Sequence, residues 1–192
     1  MNAEQVIDQF RKTGALLEGH FQLSSGLHSP VYLQCALVLQ FPENAEGFGK
    51  AIAEKFQGQE IQLVASPAIG GIVIGHEVAR ALGARFVWTE REAGQMTLRR
   101  GFTVAPGEKT LVVEDVVTTG GSTRDTIEAL TRAGANVVAA ASIIDRSAGS
   151  ADVGVPLTAL ASLKVLSVEP AACDACKLGE PVVKPGSRTQ KV

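Results

Sequence analysis

Cysteine is scarce in this chain, net charge is close to nil, and no apolar run approaches bilayer length. Three cysteines, an odd number, do not build a disulfide framework. A spanning helix needs about 20 consecutive apolar residues, and no stretch supplies them. Against 20 acidic residues stand 18 Lys and Arg, a formal charge of −2. That balance gives no bulk electrostatic attraction for nucleic acid or an anionic membrane. Two nucleotide-binding patterns are also missing, G-x-x-x-x-G-K-[S/T] and G-x-G-x-x-G. The opening MNAEQVIDQFRKTG carries acidic residues and reads as an amphipathic helix, not a signal peptide. The expectation is a cytoplasmic enzyme, residues 1–192 forming one domain with a sizeable core.

What is present centres on residues 111–123, LVVEDVVTTGGST. Leu111, Val112 and Val113 form the continuous apolar run of a strand buried on both faces. Glu114 and Asp115 follow, at the strand end where open α/β sheets bind ligands. Thr118, Thr119, Gly120, Gly121 and Ser122 then offer backbone N–H groups and small hydroxyls. A helix over 123–133, with Ser122 as its N-cap, aims its N-terminus at the same spot, a geometry suited to phosphate. Two carboxylates would repel a bare polyphosphate. They suit neutral hydroxyls or a metal ion. A sugar phosphate with vicinal hydroxyls satisfies both halves.

This stretch resembles the phosphoribosyl-pyrophosphate (PRPP) motif of type I phosphoribosyltransferases. The resemblance implies that Glu114 and Asp115 hold the ribose hydroxyls. Residues Val116, Val117, Thr118, Thr119, Gly120, Gly121 and Ser122 would carry the 5′-phosphate. A second signature lies upstream. Residues 15–34, ALLEGHFQLSSGLHSPVYLQ, read as two short segments joined by a turn. Phe21, Leu23, Ser25, Gly26, Ser29 and Pro30 resemble the F-x-L-x-S-G-x-x-S-P signature of orotate phosphoribosyltransferases. There the segment closes over the pyrimidine, which implies orotate contacts from Ser25 and Tyr32. Ser24 departs from the family, where a lysine is common, so no lysine contact carries over. Tyr32 suits packing on a flat base, and equally a half-buried hairpin.

Further strand–loop–helix units follow. Strand 61–65, the turn 66–71 and helix 72–82 precede a strand at 84–88. In the resembled family the turn approaches the pyrophosphate, which implies backbone donors around Ala68, Ile69 and Gly70. The same glycines also fit a tight turn that serves packing alone. Residues 89–102, TEREAGQMTLRRGF, lie where the family carries a mobile loop that usually crosses to a partner subunit. The usual K-x-x-K-x-H-G pattern is missing, and the stretch holds neither lysine nor histidine. Its cations are Arg91, Arg99 and Arg100, which can clamp a polyphosphate but not donate a proton near neutral pH. They are the candidates for catalytic electrostatic work, with Arg91 also touching PRPP. A solvated hairpin is the plainer reading.

Strand 136–144 finishes in Asp145-Arg146, and Arg146 matches the family's arginine for the orotate carboxylate. With Thr118, Ser25 and Tyr32 it completes the orotate set. The last strand is read at 159–168, and the tail 170–192 as loop. Cys173-x-x-Cys176 is half a zinc site, and neither Cys35 nor the three histidines show a matching spacing, so no protein metal ligands are assigned.

The expected fold is α/β: a mainly parallel twisted sheet with helices on both faces over 60–168, plus a small N-terminal hood over 1–40. The resemblance implies an orotate phosphoribosyltransferase making orotidine 5′-monophosphate and diphosphate in pyrimidine (UMP) biosynthesis. It further implies Mg²⁺ as cofactor and a homodimer sharing the mobile loop. Two other readings stand beside it. One is a transferase for a purine or other base, which leaves Arg146 without a carboxylate. The other is a non-catalytic PRPP-sensing regulator, for which no basic surface or added DNA-binding module is visible.

Overall fold

The computed structural model describes residues 1–23, 26–165 and 167–185. Helix α1 (Ala3–Lys12) opens the chain with a capping box: the Asn2 side chain accepts from the Gln5 N–H, and the Gln5 side chain from the Asn2 N–H. Strands β1 (Leu16–Gln22) and β2 (His28–Leu33) form a separate antiparallel pair, with an irregularity between Glu18 and Phe21. A short helix the sequence did not signal, α2 (Cys35–Leu39), leads into α3 (Pro42–Glu54), which carries its proline in the first turn.

The main domain then alternates. Its elements are β3 (Leu63–Pro67), α4 (Gly71–Leu82), β4 (Arg85–Glu92), β5 (Gln95–Leu98), β6 (Lys109–Val117), α5 (Gly121–Arg132), β7 (Asn136–Asp145) and β8 (Leu157–Ser162). The sheet order is β5-β4-β3-β6-β7-β8, parallel except for the β4–β5 pair. The fold is therefore the expected one, with an antiparallel edge strand added. Alternation along the central strands splits the apolar run between two cores. Val64, Leu111 and Val113 face the side covered by α1, α3 and α4, where Phe10, Phe48, Ile52 and Ile74 are buried. Leu63, Ala65 and Val112 face α5, with Ile127 and Leu130.

Two boundaries differ from the sequence reading. Strand β8 ends at Ser162, and the segment beyond it is not all loop: a 3-10 turn (Pro170–Ala172) and a single-turn helix α6 (Asp174–Lys177) follow. Ser122 is not the N-cap of α5. That position is Gly120, left-handed at φ 76°, and no side chain caps the helix.

Sheet position decides where chemistry can occur. From β3 the chain moves outward to β4 and then returns to lay β6 on β3's other side. The carboxyl ends of β3 and β6 thus flank the topological switch point, where the loops diverge and leave a crevice. Close packing holds β3 there. A Cβ on Gly75 of α4 would lie 2.0 Å from Ser66 Oγ and 2.6 Å from the Phe86 ring. In the variant Gly75→Ala, overpacking costs about 1–3 kcal/mol. That outweighs the gain of about 1 kcal/mol in helix propensity. The urea midpoint is expected to fall with the m-value unchanged; an equal or higher midpoint would show that α4 and β3 can separate freely.

Candidate active site

The acidic pair stands at the switch point, although β6 does not stop at it but runs on to Val117. Glu114 is buried at 8% exposure, and its Oε2 accepts from Thr123 Oγ1 at 3.2 Å. Asp115 is half-buried, and its Oδ1 accepts from the Val116 N–H at 2.9 Å. Burial pushes Glu114 well above the usual carboxylate range, helped by the neighbouring Asp115 charge and opposed by the Thr123 hydroxyl. Burial also raises Asp115, against hydrogen bonds from the Val116 backbone and the Cys35 side chain.

The β3–α4 turn lies directly on this pair. A Cβ at Gly70 would sit 2.8 and 2.9 Å from the two Asp115 carboxylate oxygens, so only glycine fits. The Ala68–Ile69 peptide bond is cis, and the Ala68 N–H donates to Thr89 O at 2.8 Å. Ile69 leaves 85% of its surface exposed beside the acidic pair. Across the crevice, Val117 leads through exposed Thr118 and Thr119 to Gly120 and the uncapped N-terminus of α5. No side chain caps its first N–H groups, so they and the helix dipole are available to an anion. Gly120 is packed under Val153, 2.7 Å from where its Cβ would stand.

A third wall comes from β2, α2 and the end of β7. Tyr32, half-buried, packs on Phe21 with ring centroids 5.8 Å apart. Cys35, 2% exposed, donates its thiol to Asp115, and burial together with the Asp115 charge pushes that thiol well up. Arg146 follows β7 and donates its backbone N–H to Val117 O at 2.8 Å. Its guanidinium is close enough to Tyr32 and Cys35 to interact with both, while burial lowers its pKa. Its buried Nε has no hydrogen-bond partner among the described residues. A buried donor without an acceptor is costly, and a carboxylate supplied by a ligand would relieve it.

Sequence reasoning missed two participants. Cys35 carried no motif, and only the fold sets it on Asp115. Asp145 is buried and accepts from the backbone N–H groups of Ser147 and Gly149 at 2.7 and 2.8 Å, shaping the loop that bears Arg146. Its signal was simply its place beside the arginine. Ser25 lies outside the described residues.

The three loop arginines stand apart from this wall. Residues 89–102 contain a hairpin: β4 turns at Ala93 and Gly94, both at positive φ, into β5. Arg91 donates to Asp125 of α5 at 2.6 Å and to Gly94 O at 2.7 Å. Arg100 pairs with Glu90 at 2.5 Å, and Arg99 lies 3.7 Å from Glu90 and 3.5 Å from Glu92. The zinc half-site also reads differently in three dimensions. His20 and His28, on β1 and β2, lie against Cys173 and Cys176. Counting spacing along the chain could not find a pair contributed by another element.

Glu114 generates a pH prediction. Its folded pKa lies above the unfolded value of about 4.3, so the native state holds the proton more tightly. The associated stability is complete below the unfolded value and is lost as pH rises through the folded one. The variant Glu114→Gln keeps an acceptor for Thr123 and cannot ionise. At pH 7–8 its Tm, measured by calorimetry without ligands, is expected to exceed that of the parent by about 2–4 °C, the shift of roughly 1 kcal/mol in a domain of this size. The gap is expected to close towards pH 4; a constant gap would assign the effect elsewhere.

Comparison with known proteins agrees with this geometry. The family described as phosphoribosyl transferase domain matches residues 38–158. The chain is 52% identical over 188 residues to the orotate phosphoribosyltransferase of Pelotomaculum thermopropionicum, covering 98% of this chain and 99% of that protein. Against the orotate phosphoribosyltransferase of Heliobacterium modesticaldum it is 53% identical over 192 residues, with 98% and 100% covered. The crystal structure of orotate phosphoribosyltransferase from Aeropyrum pernix superposes with a TM-score of 0.67 at 28% identity, over 83% of this chain and 94% of that one. A matching family domain, near-complete relatives at half identity and a shared fold together make this chain a member of the phosphoribosyl transferase family, in its orotate phosphoribosyltransferase branch.

Proposed function

We propose that this protein transfers the phosphoribosyl group of PRPP to orotate, as a step of pyrimidine nucleotide biosynthesis in the cytoplasm. The orotate ring nitrogen forms a bond to ribose C1 and gives up its proton. The C1–O bond to diphosphate breaks, and the electron pair leaves with diphosphate. The products are orotidine 5′-monophosphate and diphosphate. Charge develops at C1 and on the leaving group, so the protein's work is positioning and electrostatic stabilisation.

Each wall of the crevice takes one part of the substrates. Glu114 and Asp115 accept hydrogen bonds from the ribose hydroxyls, and binding sets solute polar groups against carboxylates otherwise held away from water. The backbone of residues 116–122 and the N-terminus of α5 take the 5′-phosphate. Ala68, Ile69 and Gly70 present backbone to the diphosphate, and the closeness of Gly70 to Asp115 supports one ligand spanning both. Arg146 and Thr118 bind orotate, with Tyr32 against the ring, and the signature that contains Ser25 adds that residue to the orotate set.

The chemistry of the donors fits Mg²⁺, a hard cation that prefers oxygen. Glu114 and Asp115 would hold it together with substrate oxygens, and it would supply neutralisation of the diphosphate charge. Arg91, Arg99 and Arg100 cover the diphosphate from the β4–β5 hairpin, across the interface of a homodimer. Their guanidinium groups reach solvent, and surface ion pairs of this kind are weak enough to exchange for a phosphate partner.

The observation that carries this reading is the unpartnered, buried Nε of Arg146 beside Tyr32. It calls for a planar anion, which orotate has and a purine lacks. The variant Arg146→Ala loses charged hydrogen bonds worth about 1.5–3 kcal/mol. Its kcat/KM for orotate, followed by orotate absorbance with PRPP and Mg²⁺, is expected to fall about 10–150-fold while PRPP still binds. Arg146→Lys is expected to restore little, because an ammonium lacks the planar fork. Turnover of a purine base in place of orotate would overturn the substrate assignment.

A further inference from the structure

We propose that His20, His28, Cys173 and Cys176 are the four ligands of a tetrahedral, zinc-class cation site that straps the C-terminal segment to the β1–β2 hairpin. Their ligand atoms all lie within 4.8 Å of one another. A tetrahedral centre with Zn–S near 2.3 Å and Zn–N near 2.0–2.1 Å has ligand–ligand edges of about 3.3–3.8 Å. Two of the contacts match, with Cys173 Sγ and Cys176 Sγ 3.4 and 3.5 Å from His20 Nε2, and a third, Cys176 Sγ to His28 Nδ1 at 3.2 Å, falls just short of the range. The two imidazoles are closer, with His20 Nε2 and His28 Nδ1 at 2.8 Å, and need to part by about half an ångström to reach the lower edge length.

The surroundings favour a cation over a simple hydrogen-bonded cluster. His20 Nδ1 lies 3.0 Å from the carbonyl oxygen of Glu180. A carbonyl can only accept, so Nδ1 carries the proton and Nε2 turns its lone pair inward. That is the outer-shell arrangement of metal-bound histidines. His20, His28 and Cys173 are buried, at 6%, 5% and 6% exposure. Cys176 is the exposed member and gives an ion a way in. All three cysteines are free thiols, and two histidines with two cysteines form a complete structural zinc set.

The backbone shows what the ion would hold. Val168 and His28 exchange N–H···O bonds at 2.8 and 2.9 Å, the Val183 N–H donates to His20 O at 2.8 Å, and the Gln22 N–H donates to Val183 O at 2.8 Å. The tail therefore lines both strands of a two-stranded sheet, which is marginal alone. A metal at the crossing supplies the missing staple, since binding energy to a site absent from the unfolded chain is folding energy. His20 is followed by Phe21, which packs on Tyr32. The strap thus sets the ring against the orotate subsite.

The test uses untagged full-length protein, purified under reductant from zinc-supplemented medium without added Mg²⁺. Metal content by plasma mass spectrometry is expected at about one zinc per chain. Demetallated protein titrated with Co²⁺ is expected to show thiolate charge transfer and the intense d–d bands of a tetrahedral centre. In Cys176→Ser, which conserves size at the exposed member of the cluster, Co²⁺ affinity is expected to drop by more than the roughly 10–100-fold that losing an outer-shell partner costs. A chelator is expected to lower the Tm of the parent and leave that of Cys176→Ser unchanged. Cys35→Ser is expected to keep the metal and the spectrum. Substoichiometric zinc with no thiolate band, a Cys176→Ser variant that binds as the parent does, or a Tm indifferent to chelator would each overturn the proposal.

Discussion

Two adjacent carboxylates on the central strand, withdrawn from water at the point where the sheet's winding reverses, set the terms for everything around them. Desolvation opposes charge on Glu114 and Asp115, and their proximity to each other adds to the cost for Glu114. The fold tolerates this because β6 is paired with β7 from Lys109 to Val117 and with β3 from Thr110 to Val112. The neighbouring turn must then approach with no side chain at all, which is why Gly70 faces Asp115. A site that holds carboxylates in an unfavourable state gains when a ligand offers hydroxyls or a cation.

Around that pair the molecule divides its labour. The sheet supplies rigid strand ends, and α5 supplies an uncapped N-terminus. The small β1–β2 hairpin brings an aromatic ring and, through α2, a thiol to the opposite wall. The hairpin has little core of its own. Its Leu33 joins the cluster that holds Phe10 and Val38 on one side, and the returning C-terminal segment pairs with it on the other. The cluster of two histidines and two cysteines sits where that return crosses both strands. Through Phe21 and His20, the position of Tyr32 is therefore tied to the segment that carries Cys173 and Cys176.

The loop arginines illustrate how far local reasoning reaches. Their residue type announces polyphosphate chemistry, yet charge alone does not say what they touch. Glu90, Glu92 and Asp125 engage them in ion pairs on the hairpin and on α5. The solvated-hairpin reading of this charge-rich run matches β4 and β5, which turn at Ala93 and Gly94, both at positive φ as a tight antiparallel connection demands. The partner of Arg91 on another helix was not legible.

By itself the sequence determined the alternation of strands and helices, the double-sided burial of 111–113, the glycine turn over α5 and the place of the acidic pair. All of these rest on periodicity and backbone preference acting over a few residues. Ser122 shows the limit even there: it is a good cap by type, but the left-handed Gly120 ends the turn earlier and takes the position. Only the tertiary structure decided what meets across the crevice: Cys35 on Asp115, Gly70 against the same carboxylate, Arg146 with a bare Nε beside Tyr32, and two cysteines against two histidines. The physical reason is that such contacts come from sheet order and from the path of the tail. Burial and hydrogen bonding across the whole molecule select that path, and no spacing along the chain encodes it.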